Sequence, residues 1–182
     1  MFSERAITMI LPIYRKLRID GFETRGQYLL DLQLASNFAG IAIANALPSA
    51  AHAMSYPFAN KFHRPHGEAC YVFLNATLQK YLRDVESGKL SEERVKTWRG
   101  MMEIIARGLD MAGAPDKELL QALDELLYFI LPRKTLKEYG AQPEDCVEFG
   151  RHCYEQQQRL MTCAFSEFSE QELIEAYQSV YE

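Results

Sequence analysis

Apolar side chains recur every three or four residues along most of this 182-residue chain, which is the spacing of helices that bury one face. The first such series ends at the turn Asp20-Gly21. No stretch alternates apolar and polar residues for more than a few positions, so no strand is expected. The pattern predicts an all-α fold of about eight helices. The apolar positions of the first series are Ala6, Met9, Ile10, Ile13 and Leu17.

Two capping boxes indicate where helices begin. Thr24-x-x-Gln27 predicts a helix that starts there and continues to about Ala46. Ser169-x-x-Glu172 predicts the start of a last helix near the end of the chain. Ser91 is expected to cap another helix. The residues of the last helix that should face inward are Leu173, Ile174 and Tyr177.

The length suits one domain, and no segment resembles a linker, so residues 1–182 are expected to form a single helical domain. The chain carries 25 acidic and 20 basic residues and has a net charge of −5. Because no basic stripe is present, binding to nucleic acid or to an anionic membrane surface is not expected. No segment is apolar enough over sufficient length to predict a membrane span. The sequence also lacks a glycine-rich turn after a strand and a Walker lysine motif, so no nucleotide-binding domain is predicted.

The four cysteines have no spacing that is typical of a zinc hairpin or a disulfide framework. Cys146 and Cys153 lie seven residues apart and are expected to be small core residues on one helix face. Cys70 and Cys163 lie far from both. Free thiols and the lack of a signal peptide favour a reducing, cytoplasmic location.

Three of the four histidines, His52, His63 and His66, lie within fifteen residues. His52 is predicted to lie on a helix, and His66 follows in a tight loop where Pro65 restricts the backbone and Gly67 permits close backbone contact. This arrangement can return the second imidazole beside the first, as a divalent metal site requires. The alternative is that the histidines are ordinary core or surface residues with hydrogen-bond partners.

The stretch Ala51–Pro57, followed by Phe62–Gly67, resembles a motif of the iron-type (group III) alcohol dehydrogenases. In that family two histidines fourteen positions apart bind a divalent metal, iron or zinc, and His52 and His66 match them. The resemblance implies the helical fold of the C-terminal domain of the dehydroquinate synthase–like dehydrogenases. It also implies NAD as the second cofactor, bound mainly by an N-terminal domain that this chain does not contain.

Within that family, Ser55-Tyr56-Pro57 and the segments 66–71 and 157–169 are most similar to the branch that acts on 4-hydroxybutyrate. The resemblance therefore implies NAD-dependent interconversion of 4-hydroxybutyrate and succinic semialdehyde in the intact enzyme. Tyr56 occupies the place of a second histidine that is common in the family. It is expected either to position the substrate or relay a proton, or simply to pack.

Several neighbouring residues have weaker functional interpretations. His63 is expected either to face the substrate or to lie on a surface loop, and Lys61 and Arg64 could bind a substrate carboxylate. Glu68 is expected to be a first-turn acid that the helix dipole stabilises. The family completes its metal site with an Asp-x-x-x-His pair on an earlier helix. No histidine precedes His52, so the chain alone is expected to be inactive.

Two other classes of function compete with this interpretation. One is a metal-dependent oxidoreductase or lyase of the same superfamily with another substrate. The other is a stand-alone helical binding module without catalysis. An apolar surface is expected around His52, Tyr56 and His66, because these residues would face a nucleotide domain and a small alcohol or aldehyde substrate. Such surfaces favour self-association, so a homo-oligomer is also considered.

Overall fold

The computed structural model describes all 182 residues and contains only helices, which confirms the all-α prediction. None of these helices combines the length and apolar character that crossing a bilayer would need. Two short 3-10 helices, Phe22–Tyr28 and Lys137–Tyr139, lie between longer elements. The α-helices are α1 (Phe2–Asp20), α2 (Leu29–Asn45), α3 (Ala50–Phe62), α4 (His66–Glu86), α5 (Glu92–Leu109), α6 (Asp116–Ile130), α7 (Pro143–Gln156), α8 (Gln158–Met161) and α9 (Glu170–Gln178).

The helices form two compact units, each built from two separate stretches of chain. The first unit comprises Met1–Ala46 and Leu90–Pro132, and the second comprises Leu47–Lys89 and Arg133–Glu182. In the first unit, α1 packs against α2, α5 and α6. In the second unit, α3 packs against α4 and α7, and α7 packs against α9. All residues of the candidate metal motif lie in the second unit.

The start of α2 differs from the sequence prediction. Residues Phe22–Tyr28 form a 3-10 helix, and α2 begins at Leu29 rather than at Thr24. The Thr24 hydroxyl donates a hydrogen bond back to the Gly21 carbonyl at 2.7 Å, so it does not cap a helix forward as a capping box requires. The predicted start was therefore wrong. The predicted end near Ala46 is confirmed.

Most side chains of α2 are not buried. Ala35 is its only buried residue. Large apolar side chains along the helix are exposed instead, although such side chains are normally buried. The first unit thus leaves an apolar helix surface open. The exposed large apolar residues of α2 are Leu29, Leu30, Leu34, Ile41 and Ile43.

The second unit is organised around aromatic side chains. Phe73 meets Phe58 and Tyr177 edge to face, with ring centroids 5.6 Å and 5.0 Å away. The buried Tyr177 hydroxyl donates a hydrogen bond to the Met54 carbonyl at 2.7 Å, which ties α9 to α3. Burying these large rings provides much of the hydrophobic stabilisation of the unit. Their packing fixes the position of α3 next to α4.

Other predictions for the second unit are confirmed. The Ser169 hydroxyl and the Glu172 carboxylate form the expected reciprocal capping box at the start of α9. Leu173, Ile174 and Tyr177 are buried on that helix. Cys146 and Cys153 are both buried on α7, as expected for small core residues. In the first unit, Ser91 caps α5 by accepting a hydrogen bond from the Arg94 backbone.

Candidate metal centre

The candidate centre is built from the start of α3, the start of α4 and the three residues that link these helices. α3 ends at Phe62, and His63 follows in the left-handed conformation, with φ 51° and ψ 45°. Pro65 is extended, with φ −54° and ψ 138°, and His66 is the first residue of α4. The link therefore redirects the chain sharply before the second helix begins.

The structure brings His52 and His66 together. Their ring centroids lie 4.3 Å apart, and the ring planes meet at 75°. His52 is half-buried and His66 is exposed. The helix and link thus place the two imidazoles as the spacing of fourteen residues led us to expect.

A third donor, the Cys70 thiol, lies beside both imidazoles. Its sulfur is 3.6 Å from His52 Nδ1 and 3.6 Å from His66 Nε2. One atom from each of the three residues lies within 4.8 Å of the others. Sequence reasoning did not single out Cys70 as a site residue. The available signal was its position four residues after His66, which puts both side chains on one face of α4.

The donor set fits a divalent metal. Imidazole nitrogen is a common ligand of both zinc and iron, and a nearby sulfur is compatible with either. Burial lowers the pKa of His52, and the neighbouring His66 imidazole lowers it further, which favours the neutral form of the ring. A neutral imidazole can donate a lone pair to a cation. His52 and His66 are therefore the residues that would hold the ion.

Tyr56 lies against both histidines. Its ring centroid is 5.5 Å from that of His52 and 6.0 Å from that of His66. The position, one helical turn after His52, explains the contact, since residues four apart share a helix face. His63 is different. It is exposed, and its ring makes no stacking or edge contact with the other two imidazoles.

Two expectations about the motif gain no support from the structure. Gly67 was expected to allow close backbone contact, but a Cβ built there would meet no atom within 4 Å, and its φ is not positive. An apolar surface was expected around His52, Tyr56 and His66. None of the exposed large apolar side chains lies between residues 52 and 66. More of the exposed large apolar side chains lie on α2, in the first unit, than on any other helix.

The two nearby cations differ in their partners. Lys61 Nζ donates to Asp145 Oδ1 at 2.5 Å, and this hydrogen bond raises the pKa of Lys61. Arg64 Nε donates to the Phe62 carbonyl, and its guanidinium lies over the Tyr139 ring, 5.4 Å from the centroid. Arg64 makes no ion pair. Of the two, Arg64 has the more available charge.

Glu68 lies in the first turn of α4, as expected for an acid stabilised by the helix dipole. It also accepts a hydrogen bond from the Tyr139 hydroxyl at 2.7 Å. Burial, together with the hydrogen bond to Glu68 and its charge, raises the pKa of Tyr139 to about 12. The Glu68 carboxylate is therefore already engaged in a hydrogen bond with Tyr139.

The chain belongs to the Fe-containing alcohol dehydrogenase family, whose C-terminal region it matches over residues 1–181. Its fold agrees with that of an archaeal halo-thermophilic alcohol dehydrogenase from a Red Sea brine pool. The TM-score is 0.75 at 19% identity, over 98% of this chain and 43% of that one. This confirms the predicted family and fold class.

Among curated relatives, the chain is 33% identical to the 4-hydroxybutyrate dehydrogenase of Clostridium kluyveri over 181 residues. The match covers all of this chain and 46% of that protein. The chain is also 29% identical to the NADPH-dependent butanol dehydrogenase of Clostridium saccharobutylicum over 118 residues, which cover 63% of this chain and 27% of the relative. The chain thus spans less than half the length of the relatives it matches.

Proposed function

We propose that this chain is the metal- and substrate-binding part of an NAD-dependent dehydrogenase that oxidises 4-hydroxybutyrate to succinic semialdehyde. The observation that carries the proposal is the pair His52 and His66, whose rings face each other at 4.3 Å within the family motif. The substrate follows from the 33% identity to a 4-hydroxybutyrate dehydrogenase.

In this proposal His52 and His66 hold a divalent ion, iron or zinc. When bound, the ion supplies a Lewis acid for the oxygen of the alcohol. The aromatic core described above fixes α3 against α4, so both imidazoles are held before the ion arrives. Such rigid placement is what a metal site needs for a defined geometry.

Tyr56 is proposed to position the hydroxyl group of the alcohol or to relay its proton. A phenol stays protonated near neutral pH, whereas a histidine in that position could titrate. The contact of the Tyr56 ring with both imidazoles supports this role, because it places the residue beside the proposed ligands. His63 is exposed and is proposed only to border the entrance to the site.

The carboxylate of the substrate needs a cation, and Arg64 is the better candidate. Lys61 is already paired with Asp145. The guanidinium of Arg64 makes no ion pair and can form a charged hydrogen bond with an acid. NAD is proposed to bind a separate nucleotide-binding domain, so the chain by itself should not catalyse the reaction. The four free thiols suit a reducing cytoplasm.

A chimeric enzyme tests the proposal. The 182-residue chain would replace the matched part of the Clostridium kluyveri enzyme, and NADH formation from 4-hydroxybutyrate would be measured. Activity is expected in the chimera and not in the chain alone. His52→Ala and His66→Ala should abolish it, whereas His152→Ala, at an exposed histidine of α7, should not. Full activity in both motif variants would refute the proposed roles.

A second candidate is oxidation of a neutral alcohol, which the similarity to the butanol dehydrogenase favours. The same chimera distinguishes the two, because kcat/KM for butanol and for 4-hydroxybutyrate can be compared directly. Equal values would remove the acid from the substrate assignment and leave the dehydrogenase in place. A helical module without catalysis would give no activity with either alcohol.

A further inference from the structure

Cys70 lies where a third ligand to the proposed ion would lie. Its sulfur is 3.6 Å from His52 Nδ1 and 3.6 Å from His66 Nε2. A tetrahedral zinc site with Zn–S bonds of about 2.3 Å and Zn–N bonds of about 2.05 Å separates sulfur from nitrogen by roughly 3.6 Å. Both sulfur–nitrogen distances agree with this value. The sulfur therefore lies at the distance from each imidazole that a shared ion would require, and the three donor atoms lie within 4.8 Å of one another.

Before an ion binds, a partly buried hydrogen-bond chain holds the protonated thiol in this position. Cys70 donates to the Ser55 hydroxyl at 3.4 Å, and Ser55 in turn donates to the His52 carbonyl at 2.7 Å. Ser55 is fully buried, so its hydroxyl cannot turn to solvent. α4 itself adds a second restraint, because His66 and Cys70 lie four residues apart on one helix face. The backbone of α4 and, in the metal-free thiol, these hydrogen bonds thus place the sulfur beside the two imidazoles.

We propose that Cys70 is a third metal ligand, so that the chain provides a His2Cys donor set rather than two histidines alone. The inference deepens the proposed function and rests on the same histidine pair. Coordination replaces the S–H proton, which passes to the buffer, and the sulfur binds as a thiolate. A set of two imidazoles and one thiolate favours zinc or cobalt(II) over magnesium or calcium, which prefer oxygen ligands.

The first test uses zinc and the 182-residue chain carrying Cys163→Ser, which removes the exposed thiol. X-ray absorption at the zinc edge should show one sulfur at about 2.3 Å together with nitrogen or oxygen at about 2.0 Å. Cys70→Ser should remove the sulfur from that spectrum. A zinc shell made only of nitrogen and oxygen in the Cys163→Ser chain would overturn the proposal even if the Cys70 variant failed to fold.

The second test is binding affinity. Cobalt(II) should give a sulfur-to-metal charge-transfer band in the Cys163→Ser chain and none after Cys70→Ser. Cys70→Ser should lower zinc affinity by roughly 10- to 100-fold or more, because losing even a residue that only supports a ligand has an effect of that size. Circular dichroism would verify that the Cys70 variant remains helical. The His152→Ala variant controls for adventitious binding by an exposed imidazole and should bind zinc unchanged.

The outcomes separate this inference from the proposed function. If His52→Ala and His66→Ala abolish zinc binding while Cys70→Ser leaves affinity and spectrum unchanged, the inference fails and the histidine site stands. If none of the three variants affects binding, both the inference and the proposed metal site fail. Absence of any binding by the chain would also overturn the claim that these three donors hold an ion.

Discussion

At the scale of single residues, His63 determines how the chain passes from α3 to α4. It is one of two non-glycine residues with positive φ, and the other is Asp110. A left-handed conformation is costly for most side chains and nearly free for glycine. A substitution at residue 63 should therefore be tolerated when the new residue adopts the left-handed conformation easily. This requirement concerns the backbone and is separate from any chemical role of the imidazole.

This backbone requirement gives a prediction about stability. His63→Gly should preserve the link and change the free energy of unfolding little. His63→Val should cost about 1–2 kcal/mol more, because a β-branched residue is disfavoured in the left-handed region. Urea unfolding of both variants provides the measurement. Equal stability of the glycine and valine variants would show that the conformation at residue 63 is not required.

Arg64 and Lys61 provide a matched pair for testing recognition of the acid. In the chimera, Arg64→Gln should raise KM for 4-hydroxybutyrate by roughly 10- to 100-fold, because one charged hydrogen bond to the substrate is lost. KM for butanol should not change. Lys61→Gln is the control, since Lys61 is paired with Asp145. An equal rise for both alcohols would point to disruption of the site rather than loss of acid binding.

At the scale of elements, the close packing of α7 against α9 depends on Gly150. A Cβ at this position would lie 2.5 Å from Ile174 Cγ1 and 2.9 Å from the Ile174 backbone nitrogen. Because one of these atoms is backbone, relief would require the helices to move apart. Nothing in the periodicity of the sequence marks Gly150 as a point of contact, since its partner lies on another helix.

Gly150→Ala should therefore lower the free energy of unfolding by about 1–3 kcal/mol, the usual cost of overpacking. Gly100→Ala in α5 is the matched control, because a Cβ there meets nothing within 4 Å. That variant should be stabilised by up to about 1 kcal/mol through its better helix propensity. Thermal unfolding of the two proteins compares the effects. A stable Gly150 variant would contradict the close packing.

Asp145 joins the end of α3 to the start of α7. Burial opposes its ionisation, but hydrogen bonds from Lys61 and from the Gln142 backbone hold its pKa below the ordinary value. A lowered pKa in the folded state means that the ionised group stabilises the fold above the unfolded pKa of about 3.9. The stabilisation is lost as pH falls through the folded value.

The consequence is a pH-dependent difference between the wild type and Asp145→Ala. The variant should be less stable near pH 7, where the carboxylate is ionised and caps α7. The difference should shrink steadily below about pH 4. Urea unfolding at several pH values checks this. A difference that stays constant down to pH 2 would show that the charge of Asp145 contributes nothing.

The candidate site and the helix ends were predictable from sequence to different degrees. Ser91 and the pair Ser169 and Glu172 form their predicted caps because these bonds join residues only three positions apart in the sequence. Thr24-x-x-Gln27 has the same sequence pattern, but the Thr24 hydroxyl donates back to the Gly21 carbonyl. This direction depends on the local backbone geometry and cannot be read from the pattern. The spacing of Cys70 from His66 was visible in the sequence, but its proximity to His52, eighteen residues earlier, depends on how α3 packs against α4.

At the scale of the whole molecule, the donors and the single tryptophan lie in different units. Trp98 is buried in the first unit, where its indole donates to Asp116 at 2.6 Å. His52, His66 and Cys70 belong to the second. Because each unit is built from two separate stretches of chain, no single linker between the units can be recognised in the sequence. The distribution of these residues nevertheless allows each unit to be followed separately.

Zinc should stabilise the second unit, because a ligand that binds the folded state adds stability by mass action. Hydrogen exchange read by mass spectrometry should show stronger protection in α3 and α4 than without zinc. Trp98 fluorescence should report an unchanged transition for the first unit. Cys70→Ser is expected to reduce the protection in α3 and α4. Equal protection with and without zinc in those helices would contradict the prediction.

The short separation of the three donors along the chain also affects the denatured ensemble. Closing a loop between His52 and Cys70 costs less chain entropy than closing a longer loop, since that cost rises with the number of residues enclosed. The unfolded polypeptide can therefore chelate zinc through the same side chains. Binding to the unfolded state reduces the stabilisation that a ligand provides. The rise in melting temperature at saturating zinc should thus be smaller than the affinity of the native protein implies.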